Sequence, residues 1–320
     1  MQSIKNVLVI FPLDQTGKDK LCKAYPSLTF CFSESPTREE VLQADVIFGN
    51  PSPTSISESR RLQWIQLNSA GADQYLKPGL LPKGTLLTNA TGAYGLTISE
   101  HLMGMLLMLF KKLHLLRDHQ NKSIWQNAGN VKTLMNATVL ILGAGNIGTE
   151  FAKRVKAFGS ITIGVRRTPG DKPDCYDEMH LINDLDTLLP RADVVVMALP
   201  GTAETTHLIN KKRIALMKDD AVLLNVGRGS AIETEALCDA LKKGKFWGVG
   251  LDVTEPEPLP SDHRLWRFPN VFITPHCAGG FGLNETKVYI AELFERNLNR
   301  ILAGEVPENL VDFTTGYRKR

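Results

Sequence analysis

Residues 138–170 read TVLILGAGNIGTEFAKRVKAFGSITIGVRRTPG. A β-prone run, TVLIL, leads straight into Gly143-Ala144-Gly145-Asn146-Ile147-Gly148. A helical stretch, TEFAKRVKAFG, follows, and then a second strand-like run at 161–166. A lone G-x-G-x-x-G says little; between a strand and a helix it marks a dinucleotide site. Gly143 permits the tight turn, Gly145 lets the backbone come close to a pyrophosphate, and Gly148 lets helix and strand pack closely. The helix start then presents free N–H groups and the positive end of its dipole to phosphate.

The end of the second run departs from the usual pattern. An NAD site of this kind places an acidic residue there to hold the ribose hydroxyls. Here ITIGVRRTPG, 161–170, has no carboxylate, and Arg166 stands eighteen residues after Gly148. A guanidinium only donates, so it cannot accept from ribose hydroxyls. It is well matched to a phosphate. Arg166, with Arg167 and Thr168 as further donors, therefore predicts NADP as cofactor, with NAD as the alternative.

The pattern around this unit sets the architecture. Strand-like runs at 138–145, 161–166, 192–200, 221–227, 247–253 and 271–276 give six strands, the count of a complete doubly wound sheet. In the first hundred residues, runs at 5–11, 27–32, 44–49, 62–68 and 85–90 alternate with helical DKLCKAY and REEVLQ. That alternation predicts a second, mainly parallel sheet with covered faces. The segment 287–304 has apolar residues at helical spacing and stops at Gly304; it is expected to pack back on the first domain. The fold class is α/β, with a cofactor domain at 100–284 inserted into a substrate domain formed by 1–99 plus 285–320.

Bulk properties agree with an ordinary soluble globular protein. The chain has 320 residues, 43% hydrophobic and 22% charged, with a net charge of +3. This charge is too mild to imply nucleic acid or an anionic membrane. YRKR at 317–320 reads as a solvated end. NVLVIF at 6–11, ended by Pro12, suits a buried strand rather than a secretory signal. LMGMLLMLF at 102–110 is too short to span a bilayer and reads as a packed or subunit-interface helix. Cys22, Cys31, Cys175, Cys238 and Cys277 form no CxxC pair and no metal-ligand spacing, so no metal site is expected and a reducing cytoplasm is.

Three polar features follow successive strands, where ligands of such sheets bind. NVGRG places Arg228, LDVTEPEPLP places Glu255 and Glu257, and ITPHCAGG places His276. Reducing a keto group requires a hydride donor and a proton donor to the oxygen; His supplies that proton near neutral pH. A carboxylate beside it stabilises the imidazolium, and an Arg clamps an anionic substrate and polarises its carbonyl. Together they suit a 2-oxo or 2-hydroxy acid.

These residues carry a family resemblance. The chain resembles the D-isomer-specific 2-hydroxyacid dehydrogenases, which include glyoxylate and hydroxypyruvate reductases. The matching pieces are NSAGAD (68–73), TNATGAYGLTISEH (88–101), GAGNIG, LPGTAETTHLIN (199–210), NVGRGSAIETEAL (225–237), GLDVTEPEPLP (250–260) and TPH. They span roughly 65–310. The resemblance implies a Rossmann domain inserted into a flavodoxin-like domain, with NADP-dependent reduction of a small 2-oxo acid to the D-2-hydroxy acid. It makes His276 the general acid/base and Arg228 the substrate-binding arginine. Glu257, five residues after Asp252, becomes the carboxylate partner in preference to Glu255. Ala70 and Gly71 are implied to meet the substrate carboxylate through their backbone across the interdomain cleft, and Tyr94 to shape the pocket. Asn146, Ile147, Pro200, Thr205, Val226, Gly227, Asp252, His276 and Gly279 join the glycines of the turn along the dinucleotide. Cys277 is a pocket-wall residue. Family members are commonly dimers, with pairing implied near 100–116. The same fold also serves as a nucleotide-sensing corepressor, which the short tail after VDFTTGY disfavours. A formate-type dehydrogenase needs no Glu–His pair.

Overall fold

In the computed structural model, residues 4–316 are described, so YRKR at 317–320 falls outside them. The chain divides into two compact units, Met1–Ala93 with Phe281–Arg320, and Tyr94–Gly280. The crossings lie a few residues ahead of 99/100 and 284/285, because the helix expected from about residue 100 already begins at Gly95.

The outer unit opens with β1 (Asn6–Val9), α1 (Gln15–Ala24), β2 (Thr29–Phe32), α2 (Arg38–Gln43), β3 (Val46–Phe48), α3 (Pro53–Ile56), β4 (Trp64–Gln66) and β5 (Leu86–Thr88). Local chemistry sets the helix starts. Asp14 accepts from the Gly17 N–H, and Thr37 and Glu40 form a reciprocal capping box. The strands run in the order β2-β1-β3-β4-β5, all parallel, which is the flavodoxin-like order. Leu8, Ile47, Ile65 and Leu87 are fully buried along it.

The inner unit runs α4 (Gly95–Lys111), α5 (Leu113–Asn121), β6 (Thr138–Leu142), α6 (Asn146–Ala157), β7 (Ile161–Arg166), β8 (Glu178–Leu181), α7 (Leu185–Leu188), β9 (Val194–Met197), α8 (Lys211–Leu216), β10 (Val222–Asn225), α9 (Thr234–Lys242), β11 (Gly248–Leu251) and β12 (Val271–Ile273). Its order is β12-β11-β10-β9-β6-β7-β8, again all parallel. The central strands β9, β10 and β11 are buried throughout, and β6 is buried at every residue after Thr138, as strands covered on both faces must be. The sheet has seven strands where six were expected. The additional one, β8, is the edge strand EMHL, half-exposed at every position and without an apolar run to betray it.

The chain then returns to the outer unit as α10 (Asn284–Leu302), where Phe294 stacks on Phe48 at 4.1 Å and on Trp64 at 5.3 Å between ring centroids. Gly304 follows with φ +77, a conformation that favours glycine and ends the helix. No helix among the described residues is long and apolar enough to cross a membrane.

Candidate active site

Because every strand of the inner sheet is parallel, the turns after β6, β7, β9, β10, β11 and β12 all open on one edge. The glycine turn follows β6. Gly143 has φ +99, and a Cβ there would lie 2.5 Å from the Ala198 carbonyl oxygen. A Cβ on Gly148 would lie 2.3 Å from the Gly143 carbonyl oxygen, so the residue is small to let α6 pack on β6. At Gly145 a Cβ would meet nothing within 4 Å. That clearance, beside a helix start with no side-chain cap, is a cradle that fits a pyrophosphate. Asn146 is exposed there and Ile147 half-buried.

The neighbouring turns are held from within. Arg166, at the end of β7, donates from a guanidinium nitrogen to the Asp171 carbonyl at 2.9 Å, which folds the loop carrying Arg167 and Thr168 around it. After β9, the buried Thr205 hydroxyl donates to the Pro200 carbonyl at 2.7 Å and accepts from the Thr202 N–H at 2.9 Å. After β10, the fully buried Asn225 side chain donates to the Arg228 carbonyl at 2.8 Å and accepts from the Gly227 N–H at 3.0 Å. A Cβ on Gly227 would lie 2.4 Å from the Leu199 carbonyl oxygen, and one on Gly229 1.9 Å from that of Thr254. The glycines on either side of Arg228 are thus demanded by packing. Val226 beside them is buried and donates its N–H to the Met197 carbonyl.

The loops after β11 and β12 meet directly. His276 Nδ1 lies 2.5 Å from Glu257 Oε1, with both side chains roughly half-exposed at 49% and 40%. Glu255 faces elsewhere, with Oε2 3.0 Å from His207 Nε2. His276 has φ +50, a conformation rare for non-glycine residues and concentrated at functional sites. Its N–H donates to the Asp252 carbonyl at 2.8 Å. The Asp252 carboxylate, 2% exposed, accepts from the Thr274 hydroxyl and from the N–H groups of Cys277 and Ala278. Asp252 therefore ties down the loop that carries His276.

The remaining positions make contacts of their own. Tyr94 is buried at the start of α4, its ring 3.4 Å from where a Gly279 Cβ would stand, and burial pushes its phenol well up. Cys277 is exposed, and all five thiols are free. In the outer unit, the Ala70 carbonyl accepts from Asn89, just after β5, at 2.8 Å, and that of Gly71 accepts from Ser69 of its own loop at 2.7 Å. A cavity of about 950 Å³ in that unit lies at the N-terminal starts of β1, β2 and β5. Ligands of open α/β sheets bind beyond the opposite, C-terminal ends, so this cavity is on the wrong end of its sheet for a substrate. Sequence spacing gave no sign of Asn225, Thr274 or His207 as tethers.

The profile of the D-isomer specific 2-hydroxyacid dehydrogenase NAD binding domain matches residues 103–278. The chain belongs to this family. It is 35% identical over 258 residues to a glyoxylate reductase of Thermofilum pendens, covering 78% of this chain and 75% of that one. A D-isomer specific 2-hydroxyacid dehydrogenase family protein from Aeromonas salmonicida superposes with a TM-score of 0.84 at 34% identity, covering 97% and 100% of the two chains. A D-isomer specific 2-hydroxyacid dehydrogenase from Xanthobacter autotrophicus, solved with NADPH and MES, gives 0.82 at 26% identity, covering 98% and 100%. The chain is thus an oxidoreductase of this family with a nicotinamide dinucleotide domain.

Proposed function

We propose that the protein reduces a small 2-oxo acid such as glyoxylate or hydroxypyruvate to the D-2-hydroxy acid, with NADPH as donor. The observation that carries this reading is the Glu257–His276 pair on the strand edge that also bears Arg228 and the glycine turn. The turn and the α6 N-terminus hold the pyrophosphate, and Arg166, Arg167 and Thr168 the 2′-phosphate. When bound, the nicotinamide supplies the hydride to the carbonyl carbon.

The chain's own residues manage charge and proton. Arg228 pairs with the substrate carboxylate and polarises the adjacent carbonyl. Glu257 takes the Nδ1–H of His276, which orients the ring and leaves Nε2–H to protonate the carbonyl oxygen. His276 is half-exposed, so it regains its proton from solvent.

Assembly is proposed as a homodimer. Leu102, Met105, Leu106, Leu109 and Phe110 are buried in their own unit, so pairing falls to the apolar side chains just beyond. Leu113, Ile124, Trp125, Val131 and Met135 are all more than 40% exposed. The free thiols fit a cytoplasmic setting.

Initial rates with NADPH and NADH, side by side against a panel of 2-oxo acids, test the reading. Turnover with NADPH on glyoxylate or hydroxypyruvate supports it. Turnover with NADH alone removes the NADP assignment, and none with either removes the reductase.

A further inference from the structure

The loop from Thr274 to Gly279 carries His276, and one face of α4 holds it at three points. Tyr94, Thr97 and His101 recur at helical spacing, so they share that face. The Tyr94 ring packs on Gly279, and the Thr97 hydroxyl donates to the Gly279 carbonyl at 3.1 Å. His101 Nε2 lies 3.1 Å from the Thr274 hydroxyl oxygen.

The direction of these bonds follows from counting protons. The Thr274 hydroxyl has a single hydrogen, and at 2.5 Å it is committed to Asp252 Oδ1, because a carboxylate only accepts. The Thr274 oxygen must then accept from His101, so His101 carries its proton on Nε2. That nitrogen is also 3.8 Å from Asp252 Oδ1, in a setting where the two side chains are 24% and 2% exposed. The relay runs His101 to Thr274 to Asp252, and Asp252 in turn holds the Cys277 and Ala278 N–H groups at 3.0 and 3.1 Å. Those two residues directly follow His276. A hydroxyl that both donates and accepts has one orientation, so the loop inherits a fixed geometry from α4.

We propose that His101 is a positioning residue for His276, acting from α4 through Thr274 and Asp252, and that Thr97 supports the same loop at Gly279. The inference rests on the reductase reading for its catalytic consequence, but its structural content stands apart from it.

The test compares His101→Ala and His101→Gln with the unaltered protein. Gln keeps an N–H able to reach the Thr274 oxygen; Ala does not. Two quantities are read: kcat and KM for NADPH with the best 2-oxo acid, and amide hydrogen exchange at Cys277 and Ala278 in the full chain. His101→Ala is expected to lower kcat about tenfold with KM for NADPH within about twofold, and to speed exchange at both amides about tenfold. His101→Gln is expected to recover most of both. Unchanged exchange in His101→Ala overturns the proposal, as does faster exchange with an unaltered kcat, or a Gln variant no better than Ala. If the unaltered protein reduces no 2-oxo acid, the reductase reading fails, and the exchange measurement alone still decides whether His101 holds the loop.

Discussion

A Cβ on Gly145 would meet nothing within 4 Å, while one on Gly148 would lie 2.3 Å from a backbone oxygen. The two glycines of one motif therefore answer to different demands, one to a ligand and one to the fold. Gly145→Ala should leave the melting temperature unchanged and raise the NADPH dissociation constant about tenfold or more, a loss of about 1.4 kcal/mol. Gly148→Ala should instead cost about 1–3 kcal/mol of stability through overpacking. Thermal melts and fluorescence titrations of the two variants separate these outcomes; a destabilised Gly145→Ala would contradict the open cradle. Glu257→Gln keeps an oxygen to accept from His276 but removes the charge. Turnover at neutral pH should fall about 10²-fold, and an unaltered kcat would take Glu257 out of the machinery. Arg166→Asp should shift the ratio of kcat/KM from NADPH toward NADH by about 10–100-fold. An unmoved ratio would leave Arg166 serving only the Asp171 carbonyl. Residue types at fixed spacing made the glycines, Arg228 and His276 legible in the sequence as candidates, while the preference for Glu257 over Glu255 came only with the family resemblance. The tethers were not legible, since a bond such as His101 to Thr274 joins positions 173 residues apart and leaves no local pattern.

At the level of elements, the strands that read clearly were those buried on both faces, because such strands are continuous apolar runs. The short edge strand β8 has no such run. Its place is kept by charge as well as by its ladder with β7. Glu178 is bonded to Arg191 and to His180, and those contacts, the Arg191 bond foremost, hold its carboxyl down at about 2. A carboxylate with a depressed folded-state pKa stabilises above its unfolded value and loses that contribution as pH falls through the folded one. Glu178→Gln should therefore destabilise at neutral pH, and the gap to the unaltered protein should close as pH falls from about 4.5 toward 2. Melts across that range check it; a gap independent of pH would mean that Glu178 acts by packing alone. The apolar run at 102–110 was legible as a packed helix, but its partners were not. Leu109 and Met105 lie on Gly248 and Gly250 of β11, where a Cβ would come within 2.9 Å of them. Strand glycines that look like weak points are there to let α4 approach.

Over the whole molecule, the nested layout was legible because two sets of strand-like runs share one chain with a lone helix at the end. The outer unit depends on that helix. Phe294 of α10 is fully buried and stacks on both Phe48 and Trp64. Phe294→Ala should cost the outer unit about 3–5 kcal/mol. Limited proteolysis should then cut residues 4–93 first and leave 94–280 protected, whereas simultaneous loss of both would show one cooperative transition. The same layout has a consequence for biosynthesis. Strands β1 to β5 are translated before residues 89–283, and the helix that covers Phe48 and Trp64 only after them. The inner unit has all its strands before the outer one is complete, so the nascent chain carries an uncovered aromatic face while the inner unit is being made. Exposed surface of that kind is what invites aggregation and chaperone capture. The late arrival of α10, rather than any weakness in the finished sheet, is what leaves β3 and β4 open to such capture while the inner unit is being made.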